Sequence, residues 1–489
     1  MESTGEAGTE RIRQLEKIAR QLDPGAGKRE EVRRRVVDYS EHFLNHLENL
    51  PAFISGREGD GIKSFAIGEE PMNAELLIRL LRQHVDQVGL NPASGGHLGY
   101  IPGGGLYYSA LGDYLADVFN RYAGVHFTGP GAAALEQHLV RWMADLFGYP
   151  GEAAGTLTSG GSVSNLMAVM VGRDVAGLKS RDVERAVVYL TEQAHHSVDK
   201  ALRMAGLREA IIRRVPMDER WRMKADDLER LIKMDKTNRL LPLMVVASAG
   251  TTDTGAVDPL ADIGSVCRKH ELWFHVDAAY GGFFILTEEG KNLLAGIEQS
   301  DSITVDPHKG LFLPYGTGAL LVRRGALLKR SFGSQAAYLQ DATTGESPAD
   351  LSPELTRPFR GLRLWLPLML HGLKPFRACL EEKLLLARYF EQQVRQLGYE
   401  TGGPPQLSVV VYRYASKNGE ADRFNQRLVQ ALHEDGRVFV SSTRLGGHIF
   451  LRAAILAFRT HLKTVDLLLE LLAQKKEKLL ADLATQQGG

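Results

Sequence analysis

Short apolar segments alternate with helical patterns between about residue 155 and residue 325. Apolar runs of roughly four to eight residues are typical of buried strands. The segments with this pattern are 186–190, 211–215, 241–247, 272–276, 302–305 and 318–322. Between most of them apolar residues recur at helical spacing, as in 198–205, 225–233 and 260–269. Strands with intervening helices predict an α/β fold with a mainly parallel, helix-covered sheet that binds ligands beyond the carboxyl ends of its strands.

An N-terminal arm precedes this region. Residues from 11 to about 50 and from 73 to 88 have apolar side chains at helical spacing, whereas the first 24 residues are polar and expected to be frayed. The arm is too small to form its own core. We therefore expect it to pack against a larger body or a partner subunit.

The C-terminal region predicts a small α+β domain. Short strands are predicted at 407–412, 438–440 and 449–453, and helices at 421–433 and 464–483. The predicted domains are a helical arm over 1–90, a large ligand-binding domain over 91–375 and the small domain over 376–489.

Composition excludes several partner classes. Of 489 residues, 44% are hydrophobic and 24% are charged, and the formal net charge is zero, which argues against nucleic acid or an anionic membrane as the main partner. The two cysteines, Cys267 and Cys379, lie far apart, which excludes a disulfide framework and a cysteine-based metal site. Without a secretory signal or a long apolar run, we expect a soluble, cytoplasmic protein with no membrane segment.

The segment 302–310 places a lysine just after a predicted buried strand. Pro307 ends that strand because proline has no N–H to donate to a sheet. Lys309 follows, next to an apolar run that begins at Leu311. Burial favours the neutral amine, which is a nucleophile toward carbonyl groups. For Lys309 alone, the alternative is a structural lysine that is ion-paired in a loop.

Three upstream segments add further candidates. Small residues over 158–165 precede a helical stretch, and free N–H groups at such a helix start suit a phosphate, with an ordinary N-cap as the alternative. His195 and His196 have no third ligand at metal spacing; His195 would stack on an aromatic cofactor or be a buried, hydrogen-bonded histidine. Hydroxyls over 249–252, at the end of a predicted strand, bind a ligand or form a turn.

Asp277 ends the almost wholly apolar segment 272–276. A buried carboxylate is costly unless it is paired with a cation, such as a protonated pyridine nitrogen, and Ala279 is small enough for a ring to lie against the backbone. Capping of the following turn is the alternative for Asp277. A phosphate cradle, a stacking imidazole, an acid for a ring nitrogen and a Schiff-base lysine together predict a pyridoxal phosphate (PLP) site.

With these residues the chain resembles the group II PLP-dependent amino-acid decarboxylases, the family of aromatic-amino-acid, histidine and glutamate decarboxylases. The motifs that carry the resemblance are SGGSVSN (159–165), QAHHSVDKA (193–201), GTTDTG (250–255), HVDAAYGG (275–282), SITVDPHKG (302–310), FRGLRLW (359–365) and FLRAAIL (450–456). One position departs from the family's lysine signature, because Thr317 stands where a small Cys or Ala is usual.

The resemblance implies roles for individual residues. Lys309 would form the Schiff base, Asp277 would bind the pyridine nitrogen, and His195 and Ala279 would lie on opposite faces of the ring. The other implied contacts are Gly161 and Ser162 with the phosphate, His308 beside the lysine, Thr252 near the ring, and Arg452 with the substrate α-carboxylate. His97, in the glycine-rich segment 95–105, is a further candidate for substrate binding, with a plain surface turn as the alternative.

The resemblance also implies PLP fold type I, with a mainly parallel sheet of the seven-stranded type covered by helices. It implies a homodimer with its active site at the interface, in which the arm covers the partner. The expected reaction is decarboxylation of an L-amino acid. In the family's aromatic decarboxylases a loop tyrosine delivers a proton, but here 342–357 contains no tyrosine and Tyr338 only precedes it. Protonation would then fall to His195, to another group or to the partner chain, so the expected catalytic residues are Lys309, Asp277 and His195. Aminotransferase, C–C lyase or aldehyde-forming oxidative deamination chemistry, or non-catalytic PLP binding, are therefore alternatives.

Overall fold

The structure is a computed structural model that describes residues 2–56, 59–333, 345–415 and 420–487. The N-terminal arm consists of α1 (Glu2–Ala19), α2 (Ala26–His46), β1 (Phe53–Ile54), α3 (Ala74–Leu81) and β2 (Gly89–Leu90). Strands β1 and β2 pair antiparallel. The expectation of a frayed start was wrong, because α1 is helical. The break at Pro24, where proline disfavours a helical residue before it, separates α1 from α2.

Two long helices follow the arm and lead to the central sheet. They are α4 (Tyr107–Phe119) and α5 (Pro130–Leu146), and proline at the first position of α5 suits a helix start because its missing N–H would be unpaired there anyway. The central strands are β3 (Ala154–Thr158), β4 (Ala186–Leu190), β5 (Ile211–Arg214), β6 (Leu241–Ser248), β7 (Trp273–Asp277), β8 (Ser302–Val305) and β9 (Gly318–Val322).

These seven strands form one sheet in the order β3-β9-β8-β7-β6-β4-β5. Strands β8, β7, β6, β4 and β5 are parallel neighbours, whereas β9 runs antiparallel to both β8 and β3. The prediction of a mainly parallel sheet is confirmed. Six of the seven strands were predicted from their apolar segments, and β3 was not.

Helices cover both faces of the sheet. Between the strands lie α6 (Gly161–Val175), α7 (His196–Met204), α8 (Ala225–Thr237), α9 (Leu260–His270), α10 (Glu288–Leu293), the single turn α11 (Pro307–Gly310) and, after β9, α12 (Ala326–Phe332). Residues of α5, α8 and α9 pack into one core cluster, and residues of α6 and α7 into another. Each fully buried aliphatic side chain in these cores contributes roughly 1.5–3 kcal/mol of hydrophobic free energy.

The C-terminal region forms the smaller α+β unit that was predicted. It contains α14 (Leu373–Gln396), β10 (Glu400–Thr401), β11 (Val409–Arg413), α15 (Ala421–Asp435), β12 (Ser441–Leu445), β13 (His448–Ala454) and α16 (Leu462–Gln487). The preceding helix, α13 (Gly361–His371), packs against α4 and α5 instead. The strands of the α+β unit form an antiparallel sheet in the order β10-β11-β13-β12. The strand expected at 438–440 was wrong, because the strand there begins at Ser441. The boundaries of the three predicted domains stay predictions.

A buried ion pair holds the segment that follows the undescribed stretch 334–344. Arg357 donates to both carboxylate oxygens of Glu136 over 2.8 and 3.0 Å and to the Leu157 carbonyl over 2.7 Å. This ties residue 357 to α5 and β3. Tyr338 and residues 342–344 lie outside the described residues. None of the described helices is long and apolar enough to cross a membrane.

Candidate active site

A cavity of about 240 Å³ lies at the carboxyl ends of the parallel strands, where α/β sheets bind ligands. Strand β6 ends at Ser248, β7 ends at Asp277, and β8 is followed by Lys309. Eight residues predicted to bind the cofactor line the cavity together: Gly161, Ser162, His195, Thr252, Asp277, Ala279, His308 and Lys309. The structure brings these residues to one place, and their individual roles stay predictions.

The start of α6 forms one end of the cavity. The first N–H groups of a helix have no partner within the helix, so those of Gly161 and Ser162 are available to an anion. A Cβ at Gly161 would lie 3.1 Å from Asp306 Oδ2 and 3.2 Å from Ala279 Cβ. Glycine therefore keeps this end of the cavity open.

Lys309 lies in the single turn α11 and forms an ion pair inside the cavity. Its Nζ lies 3.1 Å from Asp306 Oδ2, and the side chains of Lys309 and Asp306 are 21% and 2% exposed. Asp306 Oδ1 is buried and makes no hydrogen bond with the described residues. The ion-paired arrangement given above as the alternative for Lys309 is thus present, but within the cavity that the other candidates share.

The imidazole of His308 is hydrogen-bonded to the backbone of Thr317. Its Nδ1 lies 2.6 Å from the Thr317 carbonyl, which can only accept, so Nδ1 carries the proton. Burial is the main cause that lowers the pKa of His308. Thr317 is the residue that departs from the family's lysine signature. Its Oγ1 accepts a hydrogen bond from Arg363 Nη1 over 3.3 Å.

Asp277 accepts two hydrogen bonds from the chain itself. Its Oδ1 accepts from the backbone N–H of Ala279 over 3.1 Å, and its Oδ2 accepts from Asn165 Nδ2 over 2.9 Å. The turn-capping contact given as the alternative is therefore present, and the same carboxylate also faces the cavity.

His195 is the N-cap residue of α7. Its Nδ1 accepts from the backbone N–H of Ser197 over 3.3 Å and lies 2.7 Å from Ser197 Oγ. Burial is the main cause that lowers the pKa of His195. His195 and His196 pack ring against ring, with centroids 4.1 Å apart. Within the described ranges, no cluster of three or more potential ligands could hold a metal ion.

Several polar residues of the site were missed, among them Asn165, Ser197, His275 and Asp306. Asn165 and Asp306 line the cavity, and His275 lies behind it with Nε2 3.0 Å from Asn165 Oδ1. A signal existed for two of them. Asn165 follows Gly161 by one helical turn, so the two residues lie on the same face of α6. His275 is two residues before Asp277 in β7, so their side chains lie on the same face of the sheet.

The two predicted substrate residues lie outside the residues that line the cavity. Arg452, on β13, donates from Nε to the Thr252 carbonyl over 2.7 Å and from Nη1 to Ser441 Oγ over 3.0 Å. Its Nη2 is buried without a partner among the described residues, and burial lowers the pKa of Arg452 to about 10. Thr252 does line the cavity, so Arg452 is one residue away from it.

His97 is not brought to the cavity. It is 1% exposed and packs near the ring of Phe439, with centroids 6.1 Å apart. Neither ring nitrogen makes a hydrogen bond of normal geometry within the described part of the chain, and burial lowers the pKa of His97 to about 4.

Comparison with known proteins gives a consistent result. The profile of the pyridoxal-dependent decarboxylase conserved domain matches residues 95–415. An aromatic-L-amino-acid decarboxylase of Bacillus atrophaeus is 32% identical over 87% of this chain and 91% of its own length. A phenylacetaldehyde synthase of Arabidopsis thaliana is 28% identical over 88% and 92%. The structure of Oryza sativa TDC with PLP and tryptamine superposes with a TM-score of 0.88 at 24% identity, covering 94% of this chain and 99% of that one.

Proposed function

We propose the roles below on the premise that the chain belongs to the pyridoxal-dependent decarboxylase family. It is a PLP-dependent carboxy-lyase that decarboxylates an amino acid. In our proposal the cavity at the ends of β6, β7 and β8 is the active site, and Lys309 is the amine that binds the cofactor covalently. The observation that carries this proposal is the meeting of Lys309, Asp277 and the start of α6 in one cavity.

The residues present fit the cofactor. The N–H groups of Gly161 and Ser162 would hold its phosphate, and the Asp277 carboxylate would accept a hydrogen bond from its protonated ring nitrogen. Ala279 and His195 would lie against the two faces of the ring. When bound, PLP supplies a ring that accepts the electron pair left at the substrate Cα when CO₂ departs. Asp306 Oδ2, at 3.1 Å from Lys309 Nζ, holds the amine inside the cavity.

Arg452 is the proposed ligand of the substrate α-carboxylate. Its buried Nη2 has no partner in the described structure, and it is bound to Thr252, which lines the cavity. A charged, unpaired donor next to a cavity is a place where a carboxylate binds favourably. Because one relative named above is an aromatic-L-amino-acid decarboxylase, aromatic L-amino acids are the first substrates to test. His97, which lies away from the cavity, stays a weaker candidate for substrate binding.

Aldehyde formation is a second candidate reaction. It is supported by the similarity to a phenylacetaldehyde synthase and by the absence of tyrosine from 342–357, where aromatic decarboxylases carry their proton donor. Such a reaction consumes dioxygen and water, and it releases the aldehyde, ammonia and hydrogen peroxide in addition to CO₂. Product analysis therefore separates the two reactions.

The test is a screen of the purified, PLP-loaded protein against a panel of L-amino acids. We expect CO₂ and the corresponding amine in equal amounts. Aldehyde, ammonia and dioxygen consumption would instead identify the second candidate, and amino transfer that depends on a keto acid would identify an aminotransferase. Binding of PLP with no reaction across the panel would contradict an enzymatic role.

A homodimer and a cytoplasmic location are also proposed. Apolar side chains at helical spacing are exposed on α1 (Ile12, Leu15, Ile18) and on α4 (Tyr114, Val118), and a partner subunit would cover them. Cys267 and Cys379 are unpaired, which suits a reducing compartment. Light scattering during size-exclusion chromatography is expected to give twice the mass of the chain, and cell fractionation checks the location.

A further inference from the structure

A single hydrogen-bond network joins Asp277 to His195, and Asn165 lies at its centre. Asn165 Nδ2 donates to Asp277 Oδ2 over 2.9 Å and to Ser197 Oγ over 3.0 Å, and its Oδ1 lies 3.0 Å from His275 Nε2. The side chains of Asn165, Ser197 and His275 are buried. Networks of this kind are strong in a low dielectric and leave few alternative arrangements.

The chemistry of the partners sets the orientation of Asn165. A carboxylate only accepts hydrogen bonds, so the atom of Asn165 that faces Asp277 must be the amide nitrogen. The carbonyl oxygen therefore faces His275 Nε2, which must donate to it. The second proton of the amide nitrogen goes to Ser197 Oγ.

His275 is consistent with this direction. Burial lowers the pKa of His275 to about 4, so the ring is neutral and carries only one proton. With that proton on Nε2, Nδ1 accepts from the Ser302 hydroxyl at 2.8 Å. The Ser302 oxygen in turn accepts from Trp273 Nε1 over 3.1 Å. The Trp273 indole can only donate and the Asp277 carboxylate can only accept. These two ends of the network together set the direction of every hydrogen bond between them.

The other branch of the network ends on His195. Ser197 Oγ accepts from Asn165, so its own proton is free to go to His195 Nδ1 at 2.7 Å. The backbone N–H of Ser197 points at the same nitrogen over 3.3 Å. With two donors directed at Nδ1, a neutral ring must carry its proton on Nε2. Nε2 makes no hydrogen bond within the described ranges, and His195 lines the cavity.

We infer that Asn165 and Ser197 are positioning residues that hold His195 as the neutral imidazole protonated on Nε2, while the same amide of Asn165 orients Asp277. This inference rests on the proposed function. A neutral ring suits the stacking position, because an imidazolium would face a pyridine ring that Asp277 keeps protonated and thus positive. One residue then orients two of the side chains that would contact the cofactor ring, His195 and Asp277.

The charges around His195 come from three elements. Asp277 on β7 and Asp306 before α11 favour a charged imidazole, whereas His196 on α7 and Lys309 on α11 oppose it. The positive end of the α7 dipole also opposes a charge at the N-cap. Burial is nevertheless the largest cause and lowers the pKa of His195, so the two donors from Ser197 act on a ring whose neutral form is favoured.

The test is the protonation state of His195 in the cofactor-free protein, measured by NMR of full-length chain labelled with ¹⁵N in histidine. The two nitrogens of a neutral imidazole have different ¹⁵N chemical shifts, so the spectrum shows which one carries the proton. The signals of His195 are those absent from a His195→Gln variant. We expect the Nε2–H form at neutral pH. A predominant Nδ1–H form or a charged ring would overturn the inference.

Variants of Ser197 give a second readout. Ser197→Ala is expected to shift the tautomer ratio about fivefold toward Nδ1–H, the effect of one ordinary hydrogen bond. Ser197→Thr keeps a hydroxyl and should keep the ratio. Ser164→Ala is the matched control, because it removes a buried hydroxyl of the helix that carries Asn165 but lies outside the network. Equal ratios in Ser197→Ala and Ser164→Ala would contradict the role of Ser197.

Asn165→Asp tests the centre of the network, because it replaces both donations by a second carboxylate of the same shape. We expect the affinity of the cofactor-free protein for PLP, measured by fluorescence titration, to fall about tenfold or more. The tautomer ratio should move as in Ser197→Ala, and circular dichroism shows whether the variant is folded. An unchanged ratio in a folded variant would contradict the inference. A protein with the Nε2–H form but no decarboxylation would contradict only the proposed function.

Discussion

The network around Asn165, on the cofactor side of the active-site region, and the substrate side of that region differ in how completely the chain satisfies its own polar groups. In that network, the side chains of Asn165 and Asp277 are paired with other groups of the chain. Outside the network, Asp306 Oδ1 is buried without a hydrogen bond to the described residues. On the substrate side, Arg452 Nη2 is buried without a partner in the described structure, and neither ring nitrogen of His97 makes a hydrogen bond of normal geometry there. An unpaired buried polar group costs about 1–3 kcal/mol.

This difference indicates where each part of the site obtains its order. The cofactor side is ordered by folding, because α6, α7 and β7 place its residues before any ligand binds. The substrate side keeps unpaired donors, so ligand or partner contacts would complete it. Changes on the cofactor side should therefore affect the chemical step and cofactor capture, and changes on the substrate side should affect KM.

Lys309→Ala should give the largest effect. Loss of the amine is expected to lower kcat on the order of 10³-fold or more and to abolish covalent cofactor capture. The measurement is CO₂ release, together with borohydride reduction and peptide mapping of the labelled side chain. Wild-type protein labelled at Lys309 is the control. Normal turnover by Lys309→Ala, or label on another residue of wild-type protein, would contradict the proposed site.

Asp277→Asn should give the next largest effect. Asparagine keeps the shape of the side chain but removes the negative charge that would hold a ring nitrogen protonated, so we expect kcat to fall by about 10²–10³-fold. Asp277→Glu keeps the charge and serves as the matched variant. Steady-state CO₂ release measures kcat, and a kcat of Asp277→Asn within a few-fold of wild type would show that the charge is not needed.

Much of the sheet was predictable because its strands are buried apolar runs. The segments 302–305 and 318–322 were predicted with the bounds that the structure has. Strand β3 was missed because it needs small residues. A Cβ at Gly155 would lie 2.3 Å from the Leu320 carbonyl oxygen of the neighbouring strand, so close packing there requires the residue that weakens a strand pattern. Edge strand β12 was misplaced because its sequence is mostly polar.

The candidate site was predictable where single residues follow strand ends, as Asp277 and Lys309 do. It was not predictable where function depends on three-dimensional approach. Asn165 and His275 are 110 residues apart in sequence, and only the packing of α6 on the sheet brings their side chains within 3.0 Å. The ion pair between Lys309 and Asp306 is local by contrast, because the two residues lie three positions apart in the same motif.

Arg452→Gln tests the substrate side. Loss of a charged hydrogen bond to the α-carboxylate, worth roughly 1.5–3 kcal/mol, should raise KM about 10- to 100-fold with a smaller change in kcat. Arg452→Lys keeps the charge but not the planar fork and should fall in between. The affinity for PLP, titrated in parallel, should change little. An equal loss of PLP affinity and substrate affinity would place Arg452 on the cofactor side.

His97→Leu should have the smallest effect on catalysis and a distinct effect on stability. The pKa of His97 is lowered from 6.5 to about 4 by burial. The unfolded chain therefore binds a proton that the folded chain rejects, so the free energy of unfolding falls as the pH decreases from about 6.5 to 4. The full contribution is up to about 3 kcal/mol.

Leucine at position 97 removes this term, so the stability of His97→Leu should fall less steeply with decreasing pH than that of wild-type protein. Urea unfolding midpoints between about pH 7 and pH 5 measure the difference. His448→Leu, at a side chain that is 61% exposed, is the control and should keep the wild-type pH dependence. If a ring nitrogen of His97 instead forms a hydrogen bond with the bound substrate, His97→Leu would raise KM at neutral pH. A raised KM would show that the substrate contacts the segment 95–105. Because His97 is 1% exposed in the free chain, this segment would then have to open when the substrate binds.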